Sequence, residues 1–307
     1  MKVAFQIDEI ETLNLKTDSS LPIIFESFKR KNKNFYFHPS SLTYKNNSVY
    51  ALSREISFKK NRLDSYTLGK YRIIKLDTFD YIFIRQDPPF NMEYVSSMHL
   101  LEQVRSKTRF VNNPKGIRNS PEKISMLSYQ KLIPPTIITR SKNEIDIFVK
   151  RNNKCVIKPL YGNGGESVFL LDISDKNYNQ IIEKFINQSK EPFIIQKFIP
   201  EIKKGDKRII LINGEPIAAI RRVPKTNEIR SNIHVGADCE AIRITKDDLL
   251  ICSKIKNYLL SEGLFFVGID VIGKYLIEIN VTSPTCIQEI KKLHKIDIAK
   301  VIWDKLI

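Results

Sequence analysis

Three oxygen-bearing side chains, Asp270, Glu278 and Asn280, lie on two apolar strand-like runs separated by Gly273-Lys274. Two carboxylates and an amide oxygen are hard donors, the kind that hold Mg2+ against the phosphates of a substrate. Period-two alternation puts Glu278 and Asn280 on one face and predicts that Ile269, Val271, Ile277, Ile279 and Val281 fill the other. A two-residue loop would set Asp270 opposite Ile277 and mix polar with apolar faces. The expected connection is therefore a three-residue loop, Gly273 to Tyr275, which sets Asp270 opposite Glu278. Taken alone, the segment also reads as an ordinary hairpin edge with polar residues.

A second candidate is Lys158, at a strand end just before the loop Tyr161-Gly162-Asn163-Gly164-Gly165. Such a loop can lay backbone N–H groups over phosphates. It is not a Walker A loop, because GK[ST] is missing and Val168 to Leu171 reads as strand, not helix. Strand, glycine loop, strand is the order of a flap; a flexible hairpin with an incidental lysine is the alternative.

These residues need elements to position them. Lys2 to Ile7 reads as a strand, Ser20 to Lys31 as a helix, and Tyr81 to Ile84 as a buried strand ending at Arg85. Asp87-Pro88-Pro89 must be extended or turned; a helix from about Asn91 to Lys107 and a strand Phe110 to Asn112 follow. That order implies an α/β domain with a mostly parallel sheet. No GxGxxG follows the first strand, so a dinucleotide site is excluded there. The composition breaks at Asn113-Pro114-Lys115-Gly116, a short helix spans Pro121 to Tyr129, and a boundary near residue 120 is expected. Beyond it, Thr136 to Thr139, Lys154 to Lys158, Val168 to Leu171 and Pro192 to Gln196 read as strands, with helices at Asn143 to Arg151 and Asn177 to Gln188. Arg208 to Ile212 and Glu215 to Arg222 flank the turn signal Asn213-Gly214. Thr245 to Leu260 is helical, opening on a capping-box pattern with Asp248 in place of Glu, and one helix is expected from the end of the Asp270 hairpin to the C-terminus.

The chain has 307 residues, 42% hydrophobic and 27% charged. It carries no apolar run near the ~18 residues a membrane span needs and no signal-peptide pattern, so a cytoplasmic location is expected and a membrane partner is not. Cys155, Cys239, Cys252 and Cys286 form no CxxC pair, and the histidines show no ligand spacing, which argues against a disulfide framework or zinc site. The net charge of +16 is diffuse; it draws anionic substrates toward the surface and does not mark a nucleic-acid groove.

A basic strand end, a glycine flap and a distant D…ExN cluster, in that order, resemble the ATP-grasp superfamily, whose two α+β subdomains hold ATP between them. Specific strings narrow this. Arg85 with Asp87-Pro88-Pro89-Phe90, the Lys158 to Gly165 loop, Gly205-Asp206-Lys207-Arg208, and Glu278 through Thr285 together resemble the prokaryotic glutathione synthetase family; Asp18-Ser19-Ser20 and Asn112-Asn113-Pro114 also match. The resemblance implies an N-terminal Rossmann-like parallel-sheet domain, residues 1–120. Two ATP-grasp subdomains, 121–198 and 199–307, would follow, the first bearing the flap. It implies an ATP-dependent carboxylate-amine ligase that joins γ-glutamylcysteine and glycine through an acyl phosphate, with two Mg2+ ions beside ATP, Mn2+ able to substitute, and a homotetramer.

The roles it implies are specific. Lys123, Lys158, Gly162, Gly164, Gly165, Asp206 and Arg208 would meet ATP, with Gln196, Lys197, Phe198 and Ile199 as the hinge around adenine. Lys158 and Arg208 would act in catalysis. Asp270, Glu278 and Asn280 would hold metal. Asp18, Ser20, Arg85, Arg222, Arg230, Asn280, Thr282 and Ser283 would bind substrate, because a planar guanidinium grips carboxylate with two parallel hydrogen bonds. In Pro224 to Asp238, a lid that is glycine-rich in the family, only Gly236 remains, which implies a stiffer lid. Other ATP-grasp ligases, such as D-alanine or glutamate ligases, would share the nucleotide residues but not Asp18-Ser19-Ser20 and the Arg85 string. A non-catalytic nucleotide or nucleic-acid binder would have little use for the complete Asp270, Glu278, Asn280 set. Cys286, with no histidine base beside it in sequence, reads as packing.

Overall fold

The computed structural model describes every residue except 60–61, 105–107, 163–166 and 226–235. The N-terminal part contains β1 (Lys2–Gln6), α1 (Ser20–Lys29), β2 (Lys33–Phe37), β3 (Thr43–Lys45), β4 (Ser48–Phe58), β5 (Tyr66–Lys75), β6 (Tyr81–Ile84), α2 (Met92–Leu101) and β7 (Arg109–Val111). Strands β2, β1, β6 and β7 are parallel neighbours, as the strand-helix alternation predicts. The antiparallel extension β3, β4 and β5 is an addition that the sequence reading passes over. Helix α1 starts where the Asp18 carboxylate accepts the Leu21 N–H at 2.6 Å, with Pro22 in its first turn. Helix α2 is capped by Asn91 and ends at Leu101, short of the expected Lys107; the chain turns at Glu102 and Gln103.

After α3 (Pro114–Asn119), capped by the Asn113 side chain, a 3-10 turn at Ser125–Tyr129 replaces the expected helix from Pro121. A second unit then forms from β8 (Thr136–Thr139), α4 (Lys142–Asn152), β9 (Lys154–Pro159), β10 (Phe169–Asp172), α5 (Tyr178–Gln188) and β11 (Phe193–Lys197). Its sheet runs β10-β9-β11-β8, antiparallel throughout, and its helices bury Ile145, Val149, Ile182 and Phe185 in a core of their own.

The third unit has β12 (Asp206–Ile212), β13 (Glu215–Val223), β14 (Asp238–Ile242), α6 (Lys246–Ser261), β15 (Phe266–Ile272), β16 (Tyr275–Asn280), α7 (Ile287–His294) and α8 (Ile298–Leu306), with sheet order β14-β13-β12-β15-β16. Asn213 and Gly214 both take positive φ, 53 and 74, which a two-residue hairpin requires. Thr245 and Asp248 form the capping box that opens α6. The single C-terminal helix expected from sequence is two helices, parted at Lys295, which sits in the left-handed region with φ 61.

The first and third units share their cores. Phe5, Tyr81 and Phe83 pack in one cluster with Ile210, Ile220 and Trp303, and the Trp303 indole donates to the Ile23 carbonyl at 3.0 Å. Asn112 stitches the same seam: its amide nitrogen donates to the carbonyls of Phe266 and Val281, each at 2.8 Å, and its oxygen accepts the Phe266 N–H at 2.6 Å.

Candidate active site

The hairpin β15–β16 keeps the expected pairing by a different device. Asp270 stands opposite Glu278, but the turn is the two-residue Gly273-Lys274, and the register shifts between Asp270 and Val271. The extra residue is Ile277, bulged out of the ladder, so the three-residue loop is corrected to a tight turn plus a bulge. Leu276, fully buried, takes the core place expected of Ile277, beside Ile269, Val271, Ile279 and Val281. Sequence alternation cannot reveal a bulge, because one inserted residue resets the period.

Arg208 on β12 lies across the ladder from Asp270 and grips it in a fork, Nε to Oδ1 at 2.6 Å and Nη2 to Oδ2 at 3.0 Å. Arg222 on β13 reaches the same carboxylate at 3.0 Å and forks onto Asp206, with Nε to Oδ1 at 2.9 Å. Burial alone would push the Asp270 pKa up, yet the two guanidiniums outweigh it and hold the carboxyl well below the usual range. Gly205, φ 94, precedes this cluster because any side chain there would strike the Arg222 backbone.

Lys123 and Lys158 bring charge from the other wall. Lys123 pairs with Glu278 at 3.1 Å and donates to the Gly162 carbonyl, so it links the metal-type hairpin to the flap. Lys158 stands at the end of β9, buried, and desolvation lowers its pKa to about 8 while Glu278 and Asp270 act to raise it. Gly164, Gly165 and Arg230 lie outside the described residues, as does most of the lid stretch.

The N-terminal unit contributes Arg85. It is buried, donates from Nε to Ser20 Oγ at 3.2 Å and from Nη2 to the Pro284 carbonyl at 3.0 Å, and its guanidinium carbon sits 5.2 Å from the Phe266 ring centroid. Its Nη1 is buried without a hydrogen-bond partner. Asp87 and then Asp18 act electrostatically on this buried cation, and Nη1 remains a donor for an oxygen acceptor. Ser283 Oγ donates to the Arg85 carbonyl at 3.3 Å.

Gln196 turns its amide to Thr136 Oγ1 at 3.0 Å, and the N–H groups of Lys197 and Phe198 are taken by the carbonyls of Pro135 and Lys154. The 196–199 strand end is thus tied to β8 and β9, and Ile199 is buried. One residue of the site was missed in the sequence. Glu122 Oε1 accepts from Val281 N at 3.2 Å, Thr282 N at 3.4 Å and Thr282 Oγ1 at 2.8 Å. Burial, and then nearby Glu278, push its carboxyl pKa up. Its only sequence signal is an acid beside Lys123 in an otherwise unremarked turn.

Asp270, Glu278 and Asn280 share one face, and the Asn280 amide lies 3.4 Å from Asp270 Oδ2. Their donor chemistry, two carboxylates and an amide, fits a hard divalent ion bound with phosphates. Arg208 and Arg222 already satisfy Asp270, so an ion there would share that carboxylate with guanidinium.

Comparison with known proteins bears on this cleft. Residues 1–118 match the family model for the prokaryotic glutathione synthetase N-terminal domain, and residues 122–295 match that for its ATP-grasp domain. A glutathione synthetase of Agrobacterium fabrum is 41% identical over 304 residues, covering 99% of this chain and 95% of the relative. One from Brucella melitensis is 42% identical, covering 99% and 97%. Among solved structures, D-cycloserine synthetase aligns over the whole of both chains with a TM-score of 0.69 at 11% identity, and the macrocyclase MdnC of Microcystis aeruginosa with 0.64 at 16%. At that identity the likeness is one of fold.

Proposed function

The chain belongs to the prokaryotic glutathione synthetase family, and from that membership we propose how its own residues divide the reaction. It is an ATP-dependent ligase that joins γ-glutamylcysteine and glycine to make glutathione. The observation that carries the assignment is one cleft face where Asp270 and Glu278 stand opposite each other, with Arg208 on the first and Lys123 on the second.

A carboxylate is a poor acyl donor. In the proposed path, the cysteinyl carboxylate of the dipeptide attacks the γ-phosphorus of ATP, ADP leaves, and the glycine amine then displaces phosphate from the acyl phosphate. Every species on this path is anionic, so catalysis is chiefly positioning and charge stabilisation. Lys123 and Lys158 hold the phosphates beneath the Gly162 to Gly165 flap, while the 196–199 strand end takes the adenine. Arg208 faces the charge that develops on the acyl phosphate and its tetrahedral successor, with Asp206 fixing Arg222 beside it. Arg85, with its unpartnered Nη1, takes a substrate carboxylate; Asp18, Ser20, Arg222, Arg230, Thr282 and Ser283 complete the substrate side.

ATP-grasp ligases generally use Mg2+ with ATP, and bound by Asp270, Glu278 and Asn280 it would neutralise phosphate charge. We assign two such ions, replaceable by Mn2+. We further assign the boundaries 1–120, 121–198 and 199–307, a cytoplasmic location and a homotetramer, all from family resemblance. No described helix is long and apolar enough to cross a membrane.

The test is phosphate release with γ-glutamylcysteine and glycine, each omitted in turn. Turnover that needs both supports the reading; release driven by other amino acids and not by this pair overturns it.

A further inference from the structure

Strand β16 is the last strand of its sheet, and its free edge is covered by the turn that follows Pro121. Ile279 N–H donates to the Glu122 carbonyl at 3.0 Å and Leu276 N–H to the Leu132 carbonyl at 2.8 Å. The Glu122 side chain then reaches past the strand end and collects three donors from Val281 and Thr282 on a single oxygen. Its neighbour Lys123 points the other way, onto Gly162 of the flap and onto Glu278. The pair sits in a closed turn, with Ile124 and Ser125 N–H both bonded to the Pro121 carbonyl. Two adjacent residues in such a turn cannot move independently. Gly162, Lys123, Glu122 and Thr282 thus form one chain of contacts from just beyond β9 to the segment after β16.

We propose that Glu122 is a positioning residue that couples Gly162, through its neighbour Lys123, to the substrate loop at Val281 and Thr282. It touches neither reactant; it sets where Asn280 and Thr282 stand relative to Lys123. A single-donor contact would fix one atom of the loop, whereas two backbone N–H groups and one hydroxyl on Glu122 Oε1 fix both its backbone and its side chain. The inference rests on reading Thr282 as part of the substrate side, and its test separates the two.

The experiment measures binding of a non-hydrolysable ATP analogue with Mg2+, with and without γ-glutamylcysteine, in the full chain. Wild type should show mutual tightening of about 5- to 150-fold, the usual span of coupling between sites. Glu122→Ala, which leaves the loop donors without their acceptor, should bring that factor close to one. Glu122→Gln keeps an acceptor oxygen and should lower the factor about threefold or more, and it decides alone if the alanine variant does not fold. No tightening in wild type overturns the proposal. So does a uniform loss of affinity for both ligands with the factor unchanged, which marks Glu122 as a fastener of the sheet edge. Thr282→Val reads the underlying site. Dipeptide affinity unchanged by that substitution overturns the placement of Thr282; weakened affinity with coupling intact in both Glu122 variants overturns the coupling alone.

Discussion

Burial lowers the Lys158 ammonium to about 8, so the side chain is charged at neutrality and loses its proton above that. With Lys158 against the phosphates as proposed, ATP would favour the charged form, so affinity of the free enzyme for nucleotide should fall as pH rises through 8, with proton uptake on binding in that range. Lys158→Arg should flatten the profile; a flat profile in the wild type would refute it. The stability effect has the opposite sense. In the unfolded chain this lysine titrates near 10.5, so between 8 and 10.5 the unfolded state holds more protons and the free enzyme gains stability. Lys158→Met should lack that gain in denaturant titrations. Asp270 and Glu278 should separate in the same assay. Asp270→Asn leaves Arg208 and Arg222 buried against each other and should cost about 3 to 5 kcal/mol. Glu278→Gln leaves the buried Lys123 with a neutral partner and should abolish turnover at a cost of about 1 to 3 kcal/mol, less than Asp270→Asn. The residues that were legible are those whose chemistry is conspicuous in a string: a lysine before glycines, and an acid and an amide on alternate strand positions, Glu278 and Asn280. Glu122 was not, because its significance lies in donors 159 and 160 positions away.

At the scale of elements, two glycines set contrasting expectations. Gly116 in α3 lies against the end of α6, where an added Cβ would overlap the Glu262 carbonyl oxygen. Gly116→Ala should force the helices apart and cost about 3 kcal/mol. Gly273 has room, its Cβ meeting only Glu201 at 3.5 Å, but it carries a φ of 58. Gly273→Ala should therefore cost only about 1 kcal/mol, the strain of left-handed backbone. Urea unfolding of both variants decides; equal losses would mean that contact and dihedral were misjudged. Element types were legible where a periodic pattern ran between clear stops, as at Thr245 with Asp248 or Asn213-Gly214. They were not legible in Lys33 to Lys75, where β2 is a short buried run, β4 alternates but is interrupted between Arg54 and Ile56, and β5 has no buried face. The Ile277 bulge and the Lys295 break depend on packing and backbone choices that composition does not carry.

Across the whole molecule, cohesion is uneven. The central unit has its own core around Ile157, Phe185 and Ile195 and gives only Leu160 and Ile194 of its described buried hydrophobic residues to another cluster, whereas the N-terminal and C-terminal sheets share two clusters. Native-state hydrogen exchange should show β8, β9, β10 and β11 opening together at a lower free energy than β1, β6, β12 and β15. ATP and γ-glutamylcysteine should raise the protection of that set; a single opening energy for all sheets would count against separate cohesion. The α/β class follows from the order of strand-like and helix-like segments in the sequence. The shared core does not, since it joins Phe5 and Phe83 to residues far along the chain, such as Ile210 and Trp303.

That seam makes the molecule optically self-reporting. Trp303 is the chain's single tryptophan, and it is fully buried with its ring 5.2 Å from Phe83 and its N–H on Ile23. Emission from an unlabelled sample therefore watches one place, the joint between the first and last units. Wavelength and quenching by acrylamide would register separation there, while rearrangement confined to the core of the central unit would pass almost unseen.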